Sequence, residues 1–396
     1  MIKVISDVSG DIVLPSGLIT IPRAIFQNNE RITSITVPEG VKTIDWDAFK
    51  YCSNLSRIVL PDSLESLGMY SIEYCPKVTR LKIGKNVKNI GGSFEGMDNL
   101  TLVVDEENEH FVEVDGIIYT KDMTTLVYAN PTISGEIVLP SSVTTISESA
   151  FSNCSNEFSL VLTDSMSRLD THAFRLCSGL TEIKLPKNLK EIGYGSLSYC
   201  SKLSHIEIPE GVTNIDERAF SSSGLNSIVL PKSLEAIGSR AFDSNDNLKI
   251  IFNNSDLPLT IGSVGYGGVA QNAEIIINSD GTVQKIDEYD DVILENDFLY
   301  VKTGEKYQLR HYFGSDDIVV LPTEFRGLPV EWYQVGGIKN AVIPDGVTAI
   351  APNAFWYNDN IKTLTIPDSV TSIGEDAFAF YTSITTINFD SCRDVS

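Results

Sequence analysis

The sequence predicts a β-rich solenoid of α/β class, with a ladder of parallel strands built from about 12 rungs of 22–23 residues and two non-repeat inserts. Two observations predict it directly. Pro15, Pro38 and Pro61 are 23 residues apart, as are Pro186 and Pro209, and Pro231, Pro322, Pro344 and Pro367 continue the series, with Gly84 and Thr163 filling slots between. Counted from each of these, aliphatic residues return at +3 and +6, Ala-Phe at +10 and +11, and often Cys at +14. A third observation makes stacking necessary. The chain is 42% hydrophobic, enough for a substantial core, yet a single unit has too little apolar surface to fold alone.

Residues 1–104 form the first repeat block. Its clearest copy runs from Pro38 through Val41, Ile44, Ala48, Phe49, Cys52, Leu55 and Ile58 to Leu60. The alternation in the last part of each unit is that of a short strand with one face buried, and Pro ends it because Pro cannot donate the next ladder bond. Ala-Phe then sits in a brief turn or short helix, where Ala permits close approach and Phe fills the space between rungs. The expected Phe ladder is Phe26, Phe49, Ile72, Phe94, Phe151, Phe174, Leu197, Phe220, Phe242, Tyr333, Phe355 and Phe378.

Residues 105–139 break the period and read as a β-hairpin insert turning at Asp115-Gly116 and Lys121-Asp122. The acidic run Asp105 to Glu109 lacks the ordering of a calcium loop and reads as a solvated hairpin edge. Residues 140–254 form the second repeat block. Residues 255–315 are an acidic, Gly-containing insert with ten acids against four bases between Asp280 and Asp317, which reads as solvated. Its glycines are not arranged as a phosphate loop. Residues 316–396 form the third block.

Phrases such as LPSSVTTISESAFSNCS (Leu139 to Ser155) and IPDSVTSIGEDAFAFYTSITTI (Ile366 to Ile387) resemble the BspA-like, Treponema-type class of leucine-rich repeats. The resemblance covers most of the chain. It implies a leucine-rich repeat fold and a non-catalytic module for adhesion or protein–protein contact, with a protein or glycan partner, host matrix included. It also implies a cell-surface or secreted address in a host-associated bacterium. The start of the chain has no long apolar leader, so that address requires a trimmed fragment of an exported precursor. The alternative is a cytoplasmic scaffold or assembly subunit.

Charge and motifs narrow the function further. With 30 Lys+Arg against 53 Asp+Glu the net charge is −23, which argues against nucleic acid or anionic lipid as a partner. No apolar run is long enough to enter a membrane. Five of the six cysteines, Cys52, Cys75, Cys154, Cys177 and Cys200, share one repeat slot, which Asn245 also fills. Reduced structural thiols are the preferred reading, with inter-rung disulfides as the alternative; no C-x-x-C suggests zinc. His110, His172, His205 and His311 are scattered over separate rungs and inserts, with no catalytic or metal motif, so neither catalysis nor a cofactor is expected.

Two groups are candidate contacts. Residues flanking the central aliphatic of each strand point outward, giving a ladder that includes Ser34/Thr36, Arg57/Val59, Arg80/Lys82, Glu182/Lys184, His205/Glu207 and Ser227/Val229. Arg57, Arg80, Lys82 and Lys85 make a basic stripe within an acidic protein, suited to an acidic partner; a solubilising surface that blunts sheet edges is the plainer alternative. Trp356 and Tyr357 form a second candidate patch, while Trp332 and Tyr333 fall at core slots.

Overall fold

A computed structural model describes residues 8–91, 94–314, 316–355, 361–379 and 384–389. Among them the main ladder has sixteen strands, four more than the sequence count, because four strands that follow no residue of the expected Phe ladder also contribute. These are Gly10–Val13, Gly135–Val138, Ile275–Asn278 and Val319–Val320. Adjacent strands pair in parallel with a step of one repeat, as in Ser34 opposite Arg57 and Ile35 opposite Ile58. A second, two-residue ladder follows each turn, for example Thr20–Ile21, Thr43–Ile44, Ser66–Leu67 and Asn89–Ile90.

The segment around Ala-Phe is not an α-helix; the described residues contain only one 3-10 turn, Tyr266–Gly268. Backbone bonding explains this. Ala48 and Lys50 donate their N–H groups locally, to Asp45 and Asp47, but Asp47, Phe49 and Tyr51 donate to Met69, Ser71 and Glu73 of the next turn. Asp47 and Tyr51 accordingly take left-handed backbone, at φ 56° and 62°. Every second amide is thus committed to the neighbouring rung, and no i−4 ladder can form.

The repeat slots converge on the core. Val41, Ile44, Ala48, Phe49, Cys52 and Leu55 are all fully buried. Phe rings of successive turns stack, with centroids 5.5 Å apart for Phe26 and Phe49 and 4.9 Å for Phe151 and Phe174. The five slot cysteines are free and buried. Cys52, Cys75 and Cys200 donate Sγ to the carbonyls of Phe26, Phe49 and Phe174 one turn back, at 3.1, 3.0 and 3.3 Å. Asn245 makes the same bond to Phe220 at 2.8 Å, which is why Asn and Cys interchange there. Cys392 lies outside the described residues.

Two departures from the sequence reading concern what the inserts touch. Strands Phe111–Val114, Ile117–Thr120 and Thr125–Ala129 form an antiparallel meander, and the last pairs in parallel with Thr145–Ile146. Phe111, Ile118 and Tyr128 enter the core of the first block, while Ile117, Tyr119 and Leu126 enter that of the second. The acidic run before it is not wholly solvated. Asn108, 1% exposed, donates to the carbonyls of Gly84 and Val87 and accepts from the amides of His110 and Phe111.

Residues 255–315 are likewise not simply solvated. In Ile250–Asn253 and Ile275–Asn278 the outward positions are Ile250, Phe252, Ile275 and Ile277, so both faces of these strands are apolar. Leu299 and Val301 of the strand Phe298–Thr303 cover that outer face, while Asp287, Glu288, Asp290 and Asp291 stay exposed. Strands Asp291–Glu295, Phe298–Thr303 and Lys306–Tyr312 form a meander whose last strand pairs in parallel with Leu328–Gly336.

Candidate functional site

The outward side of the main ladder differs along the chain. Over the turns up to residue 104 it is open: Arg57 and Arg80 are exposed and make no ion pair among the described residues. Asp11 lies one strand beyond Ser34 in the same row. Hydroxyls of Ser34 and Thr33, and then the charge of Arg57, hold its carboxyl below the usual range.

The rest of the basic stripe is paired by acids one turn away. Lys82 meets Asp105 at 2.6 Å, Lys85 meets Glu107 at 3.4 Å, and Lys88 and Lys42 both meet Glu65 at 2.6 Å. Glu65, hydrogen bonded by Lys42 and Lys88, has its carboxyl lowered to about 2. Sequence neighbourhood around residues 77–88 showed no acid, because the acids lie one repeat away. The free positive charge is therefore concentrated on Arg57 and Arg80. A polar cleft of about 670 Å³ lined by Lys42, Glu65, Lys85, Lys88 and His110 adjoins this region.

Further along, part of the same face, the row through His205, Ser227, Ile250 and Ile275, is covered by the chain itself, while Lys184 and Glu207 stay exposed. Glu182 and His205, outward residues of Leu180–Lys184 and His205–Glu207, face the third block and the insert before it: Glu182 pairs with Lys339 at 2.5 Å, and the His205 ring lies 5.4 Å from that of His311. Ser227, expected on the open ladder, is 1% exposed and hydrogen bonds His205 Nδ1 at 2.9 Å. Lys362 reaches Glu157 at 3.8 Å. The histidines expected to be dispersed thus include one packed pair, contributed by an outward strand position and by the insert. His311 is 2% exposed and stacks on Phe313 at 4.2 Å. Its ring fits because Gly336 has no side chain; a Cβ there would lie 2.3 Å from Nδ1. Burial, reinforced by His205, holds the His311 pKa well below its ordinary value. Burial also lowers that of His205, against the raising effect of Glu182.

Of the aromatic candidates, Trp332 is a core residue, 8% exposed, with Nε1 donating to the Pro322 carbonyl at 2.8 Å. Trp356 and Tyr357, and the side chain of Tyr333, lie outside the described residues. Among the described residues no three His, Cys, Asp or Glu side chains are grouped to hold a metal ion, and no helix is long and apolar enough to cross a membrane.

Comparison with known proteins bears on the fold. Among solved structures, the pneumococcal vaccine antigen PcpA superposes with a TM-score of 0.53 at 24% identity, covering 61% of this chain and 67% of that one. A leucine-rich repeat protein from Eubacterium ventriosum gives 0.47 at 17% identity over 95% and 83%, and the T. pallidum leucine-rich repeat protein 0.30 at 22% over 49% and 77%. No curated protein sequence matches the chain. Six copies of the BspA type leucine-rich repeat region match residues 9–113, 125–249 and 331–395. With most of its length in those copies and the strand ladder to go with them, the chain belongs to the BspA-type leucine-rich repeat family.

Proposed function

We propose that the protein is a non-catalytic interaction and adhesion module, whose contact surface is the open strand face of the turns before residue 105. The observation that carries this reading is the contrast along one ladder. From His205 through Ser227 and Ile250 to Ile275 one outward row is covered by the chain itself, while in the same row Asp11, Ser34, Arg57 and Arg80 face solvent, with two guanidiniums that make no ion pair among the described residues. Arginine forks suit planar bidentate contact with carboxylates, so the partner carries acidic groups. Family membership supports a cell-surface or secreted address, with a cytoplasmic scaffold as the alternative.

The test is capture of partners from host matrix and surface extracts by wild type and by an Arg57→Glu, Arg80→Glu double variant, with thermal melting as a folding control. The expected result is a captured species that is lost in the variant and weakened by salt, since exposed charges are screened over about 8 Å at physiological ionic strength. Capture that is indifferent both to the double substitution and to salt would refute the assignment of the strand face.

A further inference from the structure

On the opposite side of the repeat, the turns carry two rows of left-handed residues. One row contains His172, Gly195 and Arg218; the other contains Leu176, Tyr199, Ser222 and Ser244. Left-handed backbone is tolerated by Gly and Asn and is uncommon for bulky side chains. The second row obeys this at Asn28, Asn153, Ser222 and Ser244, but places tyrosines at Tyr51, Tyr74 and Tyr199 with φ of 62°, 54° and 60°. The backbone role of the slot is the same in each: Tyr51, Tyr199 and Ser222 all donate their amides to the next turn. Ser suffices for that role, so the phenol of Tyr199 has to be explained by its side chain.

Tyr199 is not a core residue. Its ring is 46% exposed, and the guanidinium of Arg175, itself tied to Glu95 by an ion pair, lies 5.9 Å over one face. The ring stands between two clefts of about 390 and 380 Å³, both lined also by Ser222. The first is bounded by Asp98, Asn153 and Ser178, the second by His172, Arg218 and Asp243. In the second cleft Gly195 stands between His172 and Arg218 in the row and lets the His172 ring pack against it; a Cβ on Gly195 would lie 2.6 Å from that ring. Arg218 is only loosely engaged, at 3.4 Å from the Tyr194 hydroxyl and 3.8 Å from Glu217.

A half-exposed aromatic ring flanked by hydroxyls, an amide, a guanidinium and carboxylates matches one ligand chemistry well. A pyranose presents an apolar C–H face that packs on an aromatic ring, and an edge of hydroxyls that both donate and accept. Glu217 and Asp243 beside Arg218, in a chain of net charge −23, disfavour an acidic sugar. We propose that the clefts flanking Tyr199 form a binding site for a neutral saccharide, with a sugar ring stacked on Tyr199 and its hydroxyls bonded by Arg218 and Asp243. The site is on the turn side, so it stands independently of the strand-face reading.

The experiment uses the full chain and saturation-transfer NMR with isothermal titration. The probes are lactose, maltotriose, mannobiose and diacetylchitobiose, with sialyllactose as the acidic comparison. The expected result is binding of at least one neutral probe at about 1 mM or tighter. Tyr199→Ser, which installs the residue used at the same slot by Ser222, weakens it at least about tenfold, a difference of 1.4 kcal/mol or more, without lowering the melting temperature. Arg218→Gln weakens it as well, whereas Tyr51→Ser, at the same slot outside the clefts, leaves it unchanged. Absence of binding by every neutral probe at about 10 mM, binding of sialyllactose alone, or undiminished binding by both Tyr199→Ser and Arg218→Gln overturns the proposal.

Discussion

Acidification should loosen the strand Lys306–Tyr312 of the insert, and the third block paired with it, from the strand face of the second block, and the groups responsible are His205 and His311. His311 is 2% exposed, its ring 5.4 Å from that of His205, and both pKa values are lowered in the folded protein. The sign follows from linkage. A histidine whose folded pKa lies below its unfolded value binds more protons when released, so its stabilisation is complete above the ordinary value near 6.5 and is lost as pH falls toward the folded pKa. Within that window one such group costs about 1.4 kcal/mol per pH unit, a tenfold rise in the opening constant, and two groups together cost at most about 2.7 kcal/mol per unit. The neighbouring carboxylates act lower. Glu157, held down by its hydrogen bond to Lys202 and the charge of Lys362, withdraws its contribution only as pH falls below the ordinary carboxylate range. Amide hydrogen exchange in Lys306–Tyr312 and Leu328–Gly336, corrected for the intrinsic pH dependence, reads the local opening between pH 7 and 5. The slope should fall by the contribution of one proton in His311→Phe, which keeps a ring against Phe313. An opening constant that stays flat across this range in wild type, or an unaltered slope in the variant, would refute the reasoning.

Two further predictions concern the repeat itself. Phe174→Ala, at a fully buried ring stacked on Phe151, should cost about 3–5 kcal/mol in denaturant melts, and Phe378→Ala, at a half-buried ring near the end of the ladder, clearly less; equal losses would contradict the stacking account. Asn245→Ala should cost about 1–3 kcal/mol, because it removes one of the two bonds to the Phe220 carbonyl, which keeps the Ser223 amide, and removes the acceptor of the buried Ser223 hydroxyl. Asn245→Cys should recover part of it, both read from melting curves. Cys177 and Cys200 should resist a thiol reagent until the protein unfolds, because burial pushes both thiols well up and keeps them neutral.

The repeat core was legible residue by residue. Val41, Ile44, Phe49, Cys52 and Leu55 were identified by spacing and are all buried. The equivalence of Asn245 with the cysteines was also visible in the spacing, although the shared Phe carbonyl that explains it was not. The covered strands carried a signal that passed unread: IIFN and IIIN at residues 250–253 and 275–278 are apolar without alternation, the mark of strands buried on both faces. The Tyr199 clefts had a weaker signal, a tyrosine at a slot that Ser222, Ser244 and Asn153 fill with small polar residues, whose meaning depends on knowing that the slot is left-handed.

By itself the sequence determined the period, the parallel ladder and the identity of the core slots. Stacking an apolar pattern of fixed length admits one register, and a one-residue slip would turn every buried side chain outward. Tertiary structure alone decided which outward residues meet solvent and which charges remain free. Alternation says where Ser227 and Arg80 point; it cannot say that a segment far along the chain lies over one and not the other. In the same way, the stripe around Lys82 looked uncompensated because its counter-ions are local in space but a full repeat away in sequence.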